Sequence, residues 1–232
     1  MSERKKAVFN WSGGKDSALA LQKTLRENEF EVVSLLTTIN EETLTSSLHS
    51  IPLKLLLEQA DSIGIPLYPV SLSKDVKTNE ERMTRAVIHF KNQSVTHFIF
   101  GDIFLREAKS YRESKLNPLG IEVVEPLWGK TSEEIMNDFL KSGIKTKIIV
   151  TQANKLDRTF IGREIDSDFV KSLPNGIDLC GENGEYHTFS YDGELFNYRI
   201  DFKISKVNLI SYDFNMGNGE MSSYEYWQAE IS

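Results

Sequence analysis

The chain has 232 residues, 40% of them apolar and 26% charged, with a formal net charge of -7 and one cysteine. That length suits one large domain, or a domain with a small appendage. No apolar run approaches the ~18 residues a membrane helix needs. The acidic balance argues against nucleic acid as the main partner, and a lone cysteine excludes an intramolecular disulfide and fits a reducing, cytoplasmic setting.

The charged N-terminus MSERKK is unlike a signal peptide and runs into KAVFNW (6–11), which reads as a strand. From Asp16 the period changes, and Ala18, Leu21 and Leu25 fall on one helical face. A strand is expected at 31–39, then a helix with the stripe Leu53, Leu56, Leu57, Ala60 and Ile63, closed by Gly64 and Pro66. LYPVSL is a short strand, Met83, Ala86, Val87 and Phe90 mark a helix, and 95–102 is a strand ending in Gly101-Asp102. Residues 121–128 read as a strand, and TSEEIMNDFLKSG as a helix with capping-box spacing at Thr131 and Glu134. IKTKIIVTQA closes the series. This alternation predicts an α/β fold, a parallel sheet with helices on both faces, over residues 1–150.

After residue 150 the rhythm changes, and 151–232 reads as a smaller C-terminal α+β domain. It holds a short helix at 166–173, a hairpin about Asp192-Gly193, and a strand at KVNLISYDF. The tail SSYEYWQAEIS, aromatic and polar, docks either on the body or on a second copy in a homo-oligomer.

Between the first strand and the first helix stands SGGKDS (12–17). A strand-to-helix turn exposes unpaired N–H groups and the positive end of the helix dipole. Gly13 and Gly14 allow anions to approach the backbone, Ser12 and Ser17 add hydroxyls, and Lys15 adds charge. Asp16 either caps the helix or helps hold Mg²⁺ shared with phosphates. Phe9 and Asp16 break the Walker pattern, which requires glycine and Ser/Thr there. Ligands of open parallel sheets lie outside the carboxyl ends of the strands, where SGGKDS and Gly101-Asp102 both fall.

These six residues resemble the pyrophosphate-binding loop of the ATP pyrophosphatases, within the adenine nucleotide alpha-hydrolase superfamily of Rossmann-like folds. The resemblance implies cleavage of ATP between its α and β phosphates, with Lys15 and the loop amides stabilising the departing pyrophosphate.

A second polar cluster, CGENGEYHTF (180–189), crowds Glu182, Asn183, Glu185, His187 and Thr188 beside two glycines. If extended, it turns Glu185 and His187 to one face, where a carboxylate and an imidazole bind ammonium, hold a metal or move a proton. The alternative is a polar turn before a hairpin. SGGKDS, LLTT, EPLW, GRE (162–164) and GE-x-GE-x-x-TF together resemble the diphthine–ammonia ligase family over roughly 5–205.

That resemblance implies an amide ligase that adenylates a carboxylate acceptor carried on a protein, the diphthine of elongation factor 2, for attack by ammonia. It implies nucleotide contacts from Ser12 to Ser17 and at Thr37 and Thr38, to which their place at the end of a strand adds Gly101 and Asp102. Glu182, Glu185 and Thr188 are implied on the acceptor or ammonia side, with Arg163 of GRE; Asn183 and His187 belong to the same polar stretch, and His49 is either a substrate-facing or a solvated loop residue. The chain departs from the resemblance in GDIFLREAKSYRES: Asp102 replaces a small residue, Glu107-Ala108 stand at a Tyr-Gln pair, and His187 stands where the ligases often carry an acid.

Other readings stay open at this point. Asp102 binds magnesium or a ribose hydroxyl, or caps the next helix; Arg106 and Arg112 meet phosphate or form a solvated helix face. The whole chain is alternatively an ATP-binding regulatory module without turnover, or an ATP-dependent RNA-modifying enzyme.

Overall fold

The computed structural model describes residues 4–47, 49–215 and 221–232; residues 1–3, part of the N-terminus read above, lie outside these. Five parallel strands, β1 (Lys5–Asn10), β2 (Phe30–Asn40), β3 (Leu67–Leu72), β4 (His97–Ile99) and β5 (Glu122–Val124), form a sheet of order β3-β2-β1-β4-β5. Their connections carry α1 (Lys15–Glu27), α2 (Leu53–Ile63), α3 (Val76–Lys91) and α4 (Arg106–Leu116). The order reverses at β1, so a crevice opens at the carboxyl ends of β1 and β4. Ala7, Val8 and Phe9 of β1 are all fully buried, as a central strand covered on both faces requires.

Then come α5 (Ser132–Lys141), β6 (Lys145–Gln152), α6 (Ser167–Ser172), β7 (Tyr186–Asp192), β8 (Ile204–Asn215) and β9 (Met221–Ile231). The last four strands form an antiparallel sheet of order β7-β6-β9-β8. The capping box at Thr131 and Glu134 opens α5 as the spacing predicts. One core joins the two sheets, packing Phe9, Leu21 and Leu56 with Phe139, Ile148 and Phe189. A smaller core lies on the other face of the parallel sheet, with Val8, Leu36 and Phe98 under Val87 and Phe90 of α3.

Several expectations are corrected. β6 does not extend the parallel series: it pairs with β7 and β9, so the division expected at 150 falls inside it, and the change of sheet lies between Val124 and Lys145. Ile148, Ile149 and Val150 are buried in succession, which an interior strand of the second sheet satisfies and an edge position beyond β5 would not. The tail forms β9 and docks on the body, between β6 and β8. Leu25 and Leu57 are 39% and 46% exposed. On α2 the buried face is turned toward Leu55, Gln59 and Ser62 because Gln59 and Ser62 hydrogen-bond to distant backbone.

The Asp192-Gly193 turn exists, but no strand returns beside β7. Leu195 and Phe196 go into the main core, and Asn197 N–H and Tyr198 N–H bond to Ser62 of α2. Gly193 (φ +114°) lies against the chain entering β6, where an added Cβ would sit 2.3 Å from the Gly143 carbonyl oxygen. Gly193→Ala therefore combines a strained dihedral with a backbone clash, and is expected to lower stability by ~2 kcal/mol or more in denaturant unfolding.

Candidate active site

A cleft of about 860 Å³ opens at the carboxyl ends of β1, β2 and β4. Loop 12–17, Thr37 and Thr38, His49, Gly101 and Asp102, Glu182, His187 and Thr188 all line it. Its size is that of a small-molecule site, and its place is the switch point of the sheet. Loop 12–17 and Gly101-Asp102 thus border one cleft, and residues of the 182–188 stretch border it too.

The loop is built around close approaches. Gly13 has φ +83°, and a Cβ there would lie 2.8 Å from Ile51 Cδ1. Gly14 is the N-cap of α1, with no side-chain cap, so Asp16 does not cap the helix. A Cβ on Gly101 would lie 3.0 Å from Ser17 Cα, so glycine lets the end of β4 press on the first turn of α1. Ser12 Oγ accepts from Gly14 N–H at 3.3 Å and donates to Ser17 Oγ at 3.0 Å.

The second sheet holds this loop in place. Lys15 N–H donates to Thr188 Oγ1 at 2.9 Å, and Ser190 N–H and Gln59 Nε2 donate to the Gly13 carbonyl. Lys15 is 2% exposed, and its ammonium donates to both Asp16 oxygens (2.6 and 2.7 Å) and to the Cys180 carbonyl (2.6 Å). Burial pulls its proton affinity down, but Asp16 above all reverses this and leaves the ammonium more basic than an ordinary lysine.

Two residues of the GE-x-GE stretch differ from expectation. Glu185 is 1% exposed and turned into its own loop, accepting from Asp178 N–H, Asn183 N–H and Asn183 Nδ2. It precedes β7 rather than sharing an extended face with His187, because three donors of the 178–183 turn satisfy its carboxylate. Neither Glu185 nor Asn183 lines the cleft. Glu182 does, and burial, then Asp16 and Asp102, push its carboxyl up to about 8. The Cys180 thiol, buried and pushed up to about 12, is no thiolate at neutral pH.

Arg163 is not brought to the site. Its guanidinium lies 5.1 and 5.6 Å from the Phe160 and Phe169 ring centres, outside the cleft lining. Arg112, by contrast, lines the cleft and forks onto Asp102 through both terminal nitrogens, with Glu125 as a second carboxylate and the Phe100 ring 4.2 Å beneath. Asp102 therefore caps nothing; Leu105 is the N-cap of α4. The i to i+10 spacing of this pair across a turn gave no periodic signal.

The His49 and His187 rings lie with their centres 4.7 Å apart and their planes tilted by 30°. Burial, then His187, lower His49 to about 3; burial, then Lys15, lower His187 to about 4. Among the described residues no group of three His, Cys, Asp or Glu could enclose a metal. Asp16 and Asp102 both face the cleft, which fits a magnesium ion held by one or two carboxylates and by substrate phosphates.

A glycine-bearing strand-to-helix turn at the switch point, roofed by a second sheet, defines the class of phosphate-loop nucleotide-binding proteins. The sequence matches the family described as Diphthamide synthase N-terminal domain over residues 5–123 and Diphthamide synthase C-terminal domain over 131–223. The chain belongs to the diphthamide synthase family.

Among similar proteins, the diphthine–ammonia ligase of Homo sapiens is 30% identical over 106 residues, covering 44% of this chain and 40% of the human one. That of Schizosaccharomyces pombe is 34% identical over 92 residues, covering 38% and 15% respectively. That of Danio rerio is 22% identical over 178 residues, covering 66% and 67%. The chain thus spans two-fifths or less of the first two relatives. Among the described residues no helix is long and apolar enough to cross a membrane.

The two imidazoles are neutral in the fold and would titrate near 6.5 once unfolded. Their contribution to stability is whole above about pH 6.5 and is lost as pH falls toward about 3 to 4. His187→Gln removes one such group, so its melting temperature should fall less than the wild type's between about pH 7.5 and about pH 5.

Proposed function

We propose that the chain is an ATP-dependent amide ligase that forms AMP and pyrophosphate, activating a carboxylate for attack by ammonia. The supporting observation is the phosphate loop at the mouth of α1, roofed by β7 and facing Asp16, Asp102 and Glu182 across one cleft. The parallel sheet is the nucleotide half in this reading, and the second sheet supplies the acceptor side.

The loop amides and the α1 dipole take the outer phosphates, with Ser12 and Ser17 hydroxyls beside them. Thr37 and Thr38, at the end of β2, border the nucleoside. Asp16 and Asp102 would hold magnesium, which when bound offsets the phosphate charge. An acceptor carboxylate oxygen attacks the α-phosphorus and pyrophosphate leaves; ammonia then attacks the acyl carbon and AMP leaves. Glu182, poised to exchange a proton near neutral pH, stands on the ammonia side.

The relatives' name makes diphthine the first acceptor to try. Asp102, tied to Arg112, changes the wall beside α4, so other protein-borne carboxylates are the second. A protein acceptor places the enzyme in the compartment of translation.

The test is incubation with ATP, Mg²⁺, ammonium and elongation factor 2 bearing diphthine, reading nucleotide products and the amide. AMP, pyrophosphate and amide are expected, and Lys15→Met, which takes the donor from Asp16 and the Cys180 carbonyl and so displaces the loop amides, should lower AMP formation at least about a hundredfold in protein whose melting curve shows it folded. ADP as product would reject the ligase. Tight ATP binding without turnover on any acceptor would favour the regulatory module.

A further inference from the structure

All three protons of the Lys15 ammonium face partners already in place, two on Asp16 oxygens and one on the Cys180 carbonyl. The lysine of the loop is thereby neutralised and pinned. Outer phosphates arriving at α1 meet amides and hydroxyls, but no uncommitted cation from this loop.

Two imidazoles stand over that position. A Cβ built on Gly14, the N-cap of α1, would lie 3.0 Å from His49 Cε1, so His49 covers the opening of the helix directly. His187 comes from β7, and its ring centre lies 4.7 Å from that of His49. The Ser12 carbonyl, 3.2 Å from His49 Nδ1, can only accept, so Nδ1 carries the hydrogen and Nε2 the lone pair. Neither His49 Nε2 nor either ring nitrogen of His187 has a hydrogen-bond partner among the described residues, and both side chains line the cleft.

We propose that His49 and His187 are the proton-dependent half of the phosphate site: neutral in the free protein, one ring takes up a proton as the pyrophosphate end of the nucleotide binds, and donates to its oxygens. This rests on reading loop 12–17 as a phosphate site. The charged group that acts on both rings is Lys15 of α1, while Asp16 of α1 and Glu182 of the loop before β7 line the same cleft. Burial above all keeps the rings neutral when no anion is near, with Lys15 a smaller influence. A bound polyanion outweighs both, since the imidazolium then gains charge-assisted hydrogen bonds. The proton comes from solvent on binding and returns to it when pyrophosphate leaves. Because the rings lie this close, the second is held neutral by the first.

The chain has four histidines, so ring signals are assignable by substitution. The experiment is NMR of the intact, histidine-labelled protein near pH 7 titrated with inorganic pyrophosphate and Mg²⁺. One ring of the pair should pass from the neutral to the imidazolium pattern at saturation. Pyrophosphate affinity should weaken as pH rises, and His49→Gln and His187→Gln should each lower it roughly ten- to a hundredfold and flatten that pH dependence. Melting curves establish that both variants are folded. Saturation with both rings still neutral, and His variants that bind like the wild type, would overturn the proposal and leave the nucleotide reading standing. Failure of the wild type to bind pyrophosphate or ATP at all would remove both.

Discussion

An ammonium buried with 2% of its residue exposed is the constraint on which the rest of this molecule turns. Taking such a charge out of water costs several kcal/mol unless its partners are close and complete. Lys15 finds one partner beside it, Asp16, and the other far along the chain, the carbonyl of Cys180. Loop 180–185 must therefore lie against the first turn of α1. Thr188 and Ser190 of β7 then meet the loop backbone, and Gln59 of α2 ties Gly13 to Ser190 and to the Trp11 indole. The two sheets share one hydrophobic core because this polar seam fixes their separation.

The same seam explains how much could be read from residue order. The strands and helices of the nucleotide half announce themselves by local period, and the phosphate loop by composition. What local pattern misses is governed by partners that fall on no helical or strand period, some in the next turn and some more than 100 residues away. Glu185 looks like a catalytic acid until the turn that it staples is visible. Arg112 looks like helix surface until Asp102, ten residues earlier, takes its fork. Leu57 yields its place in the core to Leu55 because Gln59 and Ser62 turn the helix toward the 190–198 segment. β6 carries no mark of which sheet it joins; burial of three successive residues decides that only once the alternatives exist in space.

The other wall of the cleft is set by what the helices leave uncovered. α3 packs on β3 and α4 on β5, and Leu36 and Phe98, themselves buried, lie at the floor of the cavity between them. Glu80 and Lys115 join the two helices at 2.8 Å across that floor. The chain's departures from the ligase pattern, Asp102 foremost, lie on the α4 side of this space. The charged end, where the two sheets meet, keeps the pattern nearly whole apart from His187.

The reach from Lys15 to the Cys180 carbonyl also bears on biosynthesis. Contacts so distant in sequence form late, after much loop entropy has been lost. While the ribosome is still extending the chain, the glycine turn after β1 has no roof and its lysine no second anchor. A nascent chain can pack the parallel sheet early, yet its nucleotide cradle takes final shape only when the segment beyond residue 190 has emerged. The turn at the mouth of α1 is thus among the last parts of the fold to be completed.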